Sequence, residues 1–215
     1  AKFGIDIWMT TTAVTGGFKV CQARLGSKIH GHKNPAEHLG PMFRQVVGTT
    51  FQLMEQYTNF WMKVTGSQSV PVFGGNVDQA PAAFEINQDD LIEYFRLGFN
   101  NFSGIWKQIV DEKDYDMISF LAGNECAAEF RMPIASWVRI VYRYAGAFHT
   151  TPRQKIKILD TMIPLYYGRV ASLMNELKDM DSEGAERHFE KQAVVFEEMK
   201  PYLIDLWNGS EVSNG

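Results

Sequence analysis

The sequence predicts a mainly α-helical protein, a helical bundle joined to a small N-terminal α/β remnant. From about residue 34 onward, apolar residues recur at the three- and four-residue spacing that places them on one face of a helix. Before that point, the alternating pattern of residues 18–25 (FKVCQARL) is typical of a β-strand. We therefore expect residues 1–34 to form the α/β part, 35–208 a helical domain and 209–215 a flexible tail.

The first segment is expected to contain one short helix and one strand. Residues 6–15 (DIWMTTTAVT) favour a helix that begins near Asp6 and ends at Gly16-Gly17. The predicted strand follows, and a loop over residues 26–34 carries His30. A short helix followed by a strand returns the chain toward its origin, so Asp6 and His30 are expected to converge. A carboxylate and an imidazole are suitable ligands or polarising groups around a divalent cation.

Proline, glycine and capping residues divide the remaining chain into helices. Asn34-Pro35 begins a helix that is expected to extend to about Val64, and residues 67–86 form a long loop. Asn87 is expected to cap the next helix, which carries an aromatic stripe. Further helices are expected over 115–121, after Pro133, after Pro152 and over 181–207, with kinks at Pro164 and Pro201.

Charge, hydropathy and cysteine content argue against several classes of partner and location. The formal net charge of -4 and the absence of a basic tract give no reason to expect nucleic acid or an anionic membrane as a partner. No apolar run approaches the roughly 18 residues that span a bilayer. Cys21 and Cys126 are far apart in sequence, so we expect two packed thiols rather than a disulfide, in a reducing compartment such as the cytoplasm.

Three runs in the first segment carry a family resemblance. They are Gly4-Ile5-Asp6-Ile7-Trp8, Gln22-Ala23-Arg24-Leu25-Gly26-Ser27-Lys28-Ile29-His30 and Lys33-Asn34-Pro35. In this order and spacing they resemble the end of the catalytic domain in a group of retaining glycosyltransferases of the GT-A fold. The group comprises the mannosylglycerate, glucosylglycerate and glucosyl-3-phosphoglycerate synthases. The close match covers roughly residues 3–47, and the later helices are compatible with the family's helical C-terminal region.

The resemblance implies a hexosyltransferase that moves a sugar from a nucleoside-diphosphate sugar to a small hydroxy acid such as glycerate or phosphoglycerate. It implies a divalent cation, Mg or Mn, with His30 at the position of the family's metal-binding histidine. Asp6 matches the acidic residue that lies near the reacting sugar, and is the candidate catalytic residue. Lys28 and Arg24 are candidate substrate-binding residues, because their positive charge suits a diphosphate or an acidic acceptor.

One departure from the family pattern concerns the DxD motif, which in the family precedes this segment. The sequence has Asp114-Tyr115-Asp116, but this run lies downstream of His30 in a helical stretch. We therefore expect the chain to be the C-terminal part of such an enzyme and to lack part of the active site by itself.

Two other functions remain open. Residues 35–208 are also compatible with a non-catalytic helical dimerisation or lid module, and the aromatic stripe favours a homodimer. A helical metal-dependent hydrolase would instead use His30, His32 and the Asp114/Asp116 pair, although no third or fourth zinc ligand is evident near the two histidines. Arg139 and Arg143 are spaced four apart on one helix face, and we expect either a solvated face or pairing within the molecule rather than anion binding.

Overall fold

The computed structural model describes residues 3–25, 35–75 and 86–212, with side chains over 3–25, 40–75 and 86–209. These residues are mainly helical, which confirms the predicted fold class. The chain divides into two compact units, unit 1 over residues 1–86 and unit 2 over residues 87–215. The division falls after Ile86, and the proposed domain boundary between residues 34 and 35 stays a prediction.

In its described residues, 3–25, 35–75 and 86, unit 1 combines three helices with a minimal parallel sheet. Its elements are α1 (Ile5–Thr15), α2 (Pro35–Gln56), α3 (Thr58–Trp61), β1 (Gln22–Ala23) and β2 (Val72–Phe73). The predicted strand over 18–25 is thus reduced to two residues, because only these find a partner in β2. Gln22 lies opposite Val72 and Ala23 opposite Phe73, and both strands are exposed.

The start of α1 lies directly against α2. A Cβ atom on Gly4 would come within 2.1 Å of the Thr49 hydroxyl oxygen, so only glycine allows this approach. The Phe3 amide donates a hydrogen bond to Gln45 Oε1 (3.1 Å) just before the helix. These contacts fix the position of the first turn of α1 relative to α2.

The predicted helix over 35–64 is interrupted after Gln56. The Thr58 hydroxyl donates to the carbonyl oxygens of Met54 (2.9 Å) and Glu55 (3.1 Å), and Trp61 Nε1 also donates to Met54 O (2.9 Å). Side chains that bond nearby carbonyls compete with the regular helical pattern. The chain therefore continues as the separate single turn α3.

Over residues 87–212, unit 2 is a bundle of six helices, with two short 3₁₀ turns at Ala127–Glu129 and Pro152–Gln154. Asn87 caps the first of these helices as predicted, because its Oδ1 accepts from the Asp89 amide at 3.0 Å. The helices are α4 (Gln88–Ile109), α5 (Glu112–Gly123), α6 (Ile134–Thr150), α7 (Lys155–Leu177), α8 (Ser182–Glu198) and α9 (Lys200–Val212).

The core of unit 2 forms where α4 meets α7. A Cβ on Gly98 would lie 2.1 Å from Pro164 Cβ, and one on Gly168 would lie 2.6 Å from the Phe95 ring, so the two helix backbones approach closely. Aromatic side chains fill the surrounding space, which accounts for the predicted aromatic stripe of α4. The largest fully buried side chains include Phe95, Trp106, Phe130, Tyr144, Phe148 and Trp207.

Helices α8 and α9 replace the single kinked helix predicted over 181–207. A proline in a helix interior has no amide to donate and clashes with the carbonyl four residues earlier. The break at Met199 instead places Pro201 in the first turn of α9, where neither problem arises. No residue of α8 is buried, whereas α9 buries Leu203 and Trp207.

Two further expectations concern cysteines and membranes. Cys21 and Cys126 are both free and exposed, so the prediction that they are packed thiols is wrong. Both lie in irregular segments, Cys21 just before β1 and Cys126 just before the 3₁₀ turn at Ala127–Glu129. Across the described ranges, none of the helices is both long and apolar enough to cross a membrane.

Candidate functional site

Asp6 lies in the first turn of α1, with Gly4 at the N-cap position. Its side chain is exposed, and within residues 3–25, 35–75 and 86–212 its carboxylate makes no hydrogen bond or ion pair. The amides at a helix N-terminus favour a negative charge nearby, so this position suits an ionised carboxylate. Asp6 is therefore held at a fixed place in unit 1 with its oxygens available to a ligand.

Arg24 follows β1 directly and is exposed. Its amide donates to Phe73 O (2.9 Å), which ties its backbone to β2. Gly74 follows β2 directly with φ of 92°, and a Cβ there would lie 2.8 Å from Arg24 O. A positive φ and this close approach both require glycine, so the turn after β2 defines where Arg24 leaves the sheet.

The other two predicted site residues, Lys28 and His30, lie outside the described residues. Their convergence with Asp6 therefore stays a prediction, as do their roles at the substrate and the metal. In the described part of the chain, no three histidine, cysteine, aspartate or glutamate side chains are grouped as metal ligands would be.

Asp114, a ligand in the hydrolase hypothesis, is engaged elsewhere. Its side chain is 1% exposed, and its two oxygens accept from Arg139 Nε (2.7 Å) and Nη2 (2.5 Å). Arg139 also donates to the Ser136 hydroxyl at 3.0 Å. This two-pronged ion pair joins α5 to α6 and gives the buried Asp114 carboxylate its counter-charge.

Arg143 forms a second linkage, with Asp111 and Tyr202. Its guanidinium bonds Asp111 Oδ1, and its Nε donates to the Tyr202 hydroxyl (2.8 Å), which itself donates to Asp111 Oδ2 (2.7 Å). Burial tends to raise the pKa of Asp111, but the bonds from Tyr202 and Arg143 outweigh it and lower the pKa. Burial also raises the pKa of Tyr202 to about 12. Both arginines therefore pair within the molecule, which is one of the two alternatives that the sequence left open against anion binding.

A third polar cluster centres on Glu176 of α7. Arg169 Nη1 and Nη2 donate to its two oxygens at 2.5 and 2.9 Å, the Ser172 hydroxyl donates at 3.0 Å, and His188 Nε2 of α8 lies 2.8 Å away. Burial tends to raise the pKa of Glu176, but the hydrogen bonds from Arg169 and His188 outweigh it and lower the pKa. Arg169 also donates to Met132 O (3.1 Å), so the cluster joins α7, α8 and the chain before α6.

The Glu176 cluster was not foreseen from the sequence. Arg169 and Glu176 are seven residues apart, which places them on one face of α7, and this spacing is the signal that could have indicated a pair. His188 belongs to another helix, and its contact depends on how α8 packs. The cluster is a structural connection, because its donors and acceptors satisfy one another.

Comparison with protein-family models, with curated proteins and with solved structures finds no match to this chain. The family resemblance therefore depends on the residues of the first segment alone. Of the four predicted site residues, the structure describes Asp6 and Arg24, and both belong to unit 1.

Proposed function

We propose that this chain is the C-terminal part of a metal-dependent retaining glycosyltransferase. It would move a hexose from a nucleoside-diphosphate sugar to a small hydroxy acid such as glycerate or phosphoglycerate. The observation that carries the proposal is the order and spacing of the Gly-Ile-Asp run, the Leu-Gly-Ser-Lys-Ile-His run and Asn-Pro in residues 4–35. The exposed, unengaged carboxylate of Asp6 at a helix N-terminus is consistent with the role that the resemblance gives it.

The chain's own residues would bind and orient the substrates. His30 and Asp6 offer an imidazole nitrogen and a carboxylate oxygen, a donor set that suits Mg²⁺ or Mn²⁺. A bound divalent cation neutralises the charge that develops on a departing diphosphate. Asp6 would hold the acceptor or the reacting sugar in position, and the cationic Arg24 and Lys28 would attract the acidic groups of donor and acceptor.

The exposed apolar surface of unit 1 supports the idea that this unit belongs to a larger domain. Parallel sheets in proteins are ordinarily covered on both faces. Here β1 and β2 are exposed, and large apolar side chains near them are more than half exposed, namely Phe18, Leu25, Val72 and Phe73. We propose that the remainder of the catalytic domain covers this surface.

The first experiment is a calorimetric titration of the 215-residue chain with Mn²⁺ and a panel of nucleoside-diphosphate sugars. We expect no nucleotide-sugar binding by the chain or by its His30→Ala variant, because the nucleotide-binding part lies elsewhere. Tight binding that disappears in the variant would show that the chain holds a complete site and would refute its description as a part.

The second experiment measures hexose transfer by the full-length protein that the gene encodes. We expect metal-dependent hexose transfer to glycerate or phosphoglycerate, reduced at least about 100-fold by Asp6→Asn, since such positioning and electrostatic contacts typically contribute that much. Asp116→Asn is the matched control, because this carboxylate is exposed on α5 of unit 2. Equal activity of the Asp6 and Asp116 variants would refute the assigned role.

A non-catalytic dimerisation module is the second candidate function. Leu97 on α4 is 54% exposed and Phe120 on α5 is 69% exposed, and a dimer interface would cover such side chains. If the homodimer forms through them, it would be lost on Leu97→Asp or Phe120→Asp. Light scattering after size-exclusion chromatography measures the oligomeric state, and a monomeric parent chain would contradict this alternative.

The free, exposed cysteines fit the proposed cytoplasmic location, where thiols stay reduced.

A further inference from the structure

The first turn of α1, which carries Asp6, has little that holds it from within its own helix. Gly4 at the N-cap position offers no side chain to bond the amides of this turn, and no residue of α1, which the structure describes in full, is buried. The Trp8 amide donates to Gly4 O at 3.0 Å, so the helical pattern begins at Gly4. The location of the Asp6 carboxylate therefore depends on what contacts the chain just before the helix.

Two partly buried residues of α2, Gln45 and Thr49, make this contact. Gln45 Oε1 accepts from the Phe3 amide at 3.1 Å, one residue before the N-cap. A Cβ atom on Gly4 would come within 2.1 Å of the Thr49 hydroxyl oxygen and 3.1 Å of Gln45 O. Positions four apart lie on the same face of a helix. One face of α2 therefore meets two successive residues, Phe3 and Gly4, directly before α1.

The contact at Gln45 is linked to Asp6 through a short stretch of backbone. Phe3 lies three residues before Asp6, and the helix begins between them, so a displacement at Phe3 extends into the first turn. Within residues 3–25, 35–75 and 86–212, the exposed Asp6 carboxylate makes no hydrogen bond or ion pair that would hold it independently. A group that acts by position is sensitive to such displacement, and an error of about 1 Å can cost about 100-fold in rate.

We propose that Gln45 is a positioning residue for the glycosyl transfer, because its side chain holds the turn that carries Asp6. The inference rests on the proposed function, in which Asp6 orients the reacting sugar or the acceptor. It assigns Gln45 no contact with sugar, acceptor or metal. Thr49 supports the same turn by close packing on Gly4, whereas Gln45 supplies a directional hydrogen bond that can be removed at nearly constant size.

The positioning itself is measured by ¹⁵N relaxation of the 215-residue chain. Gln45→Met removes the acceptor and keeps the length of the side chain, whereas Gln45→Glu keeps an oxygen that can accept from Phe3. Gln52→Met is the matched control, because Gln52 is exposed on the same helix. We expect the order parameter of the Asp6 amide to decrease from about 0.85 toward 0.6 in Gln45→Met. It should stay near 0.85 in Gln45→Glu and in Gln52→Met.

The consequence for catalysis is measured in the full-length protein. Gln45→Met should lower kcat for hexose transfer by about 10-fold and leave the KM of the donor within about 2-fold, because it disturbs orientation rather than donor binding. In an Asp6→Asn background the same change should have no further effect, since a residue that acts through Asp6 has nothing left to position. Gln52→Met should leave kcat unchanged in both backgrounds. A general loss of structure would lower kcat in both backgrounds, so the dependence on Asp6 separates positioning from folding.

The outcomes separate this inference from the proposed function. An unchanged order parameter at Asp6 in Gln45→Met, an unchanged kcat, or an equal decrease in kcat with and without the Asp6 carboxylate would each overturn the role of Gln45. Absence of hexose transfer by the full-length parent, or full activity of Asp6→Asn, would refute the proposed function and the catalytic role of Gln45 with it. The order parameters require no activity, so the two failures are distinguishable.

Discussion

Glu176→Gln is expected to destabilise unit 2 strongly, although it changes only one atom of the side chain. Arg169 is 4% exposed, and its guanidinium donates twice to the Glu176 carboxylate. In the variant one of the two carboxylate oxygens is replaced by an NH₂ group, so that a donor faces an arginine donor. The buried cation loses its counter-charge, and it also loses one hydrogen-bond acceptor.

The magnitude follows from what remains around Arg169. Removing one partner of a buried ion pair costs about 3–5 kcal/mol. Arg169 keeps contacts to Met132 O (3.1 Å) and the Ser172 hydroxyl (3.2 Å), so we expect the lower end of that range. A loss of about 3 kcal/mol in the free energy of unfolding corresponds to a decrease in Tm of roughly 10 °C for a unit of this size.

Urea unfolding followed by tryptophan fluorescence measures this loss, since Trp106 is fully buried in unit 2. Glu183→Gln is the control, because the Glu183–Arg187 pair is exposed and should contribute less than about 0.5 kcal/mol. In an Arg169→Met background, Glu176→Gln should cost less than about 1 kcal/mol, since no buried cation remains. Equal effects of the two glutamate changes, or no dependence on Arg169, would refute the reasoning.

The same variant also tests the direction in which stability changes with pH. The pKa of Glu176 is lower in the folded protein than its ordinary value of 4.5, so the ionised carboxylate stabilises the fold above that value. The contribution is lost as the pH falls through the folded pKa. The difference in stability between parent and Glu176→Gln should therefore be constant near neutral pH and decrease below about pH 4.5. A difference that increases toward low pH would contradict this assignment.

Three further changes test packing, capping and a linking hydroxyl. Gly98→Ala should destabilise unit 2 by about 1–3 kcal/mol, because the added methyl group would clash with Pro164. Gly104→Ala, in the same helix but with open space around it, should stabilise unit 2 by about 0.5–1 kcal/mol. Thermal unfolding of both variants distinguishes an effect of packing from one of helix propensity. Asn87→Ala should cost about 1 kcal/mol in urea unfolding, and Asn87→Ser, which can still cap, should restore most of it. Tyr202→Phe should cost about 1–3 kcal/mol in the same assay because its hydroxyl bonds two charged groups, and a change within error would contradict that role.

The helices were the most predictable part of the structure, because their signals are local. The Asn87 cap, the glycines after α1 and the proline before α6 each act within a few residues of their own position. The break between α2 and α3 was missed, since it depends on the side-chain bonds of Thr58 and Trp61 to preceding carbonyls. Periodicity does not report such bonds.

The strand was predicted too long for a different reason. Alternation over residues 18–25 indicates which residues can pair, but strand length depends on the partner, and β2 offers only Val72 and Phe73. Of the site, the sequence correctly placed Asp6 at the start of a helix, whereas Arg24, which was predicted inside the strand, lies just after it. The Glu176 cluster required tertiary information, because His188 reaches it from a separate helix.

The absence of buried residues in α8 has a practical consequence. This helix is attached through a small number of contacts, chiefly His188 to Glu176 and Tyr142 to Phe196, while α9 anchors the chain beyond it. An element with so little buried surface can open locally at a lower free energy than the core. Its outward positions, such as the exposed Glu190, are therefore suitable for attaching a fluorophore that reports on this opening while the core of unit 2 stays unchanged.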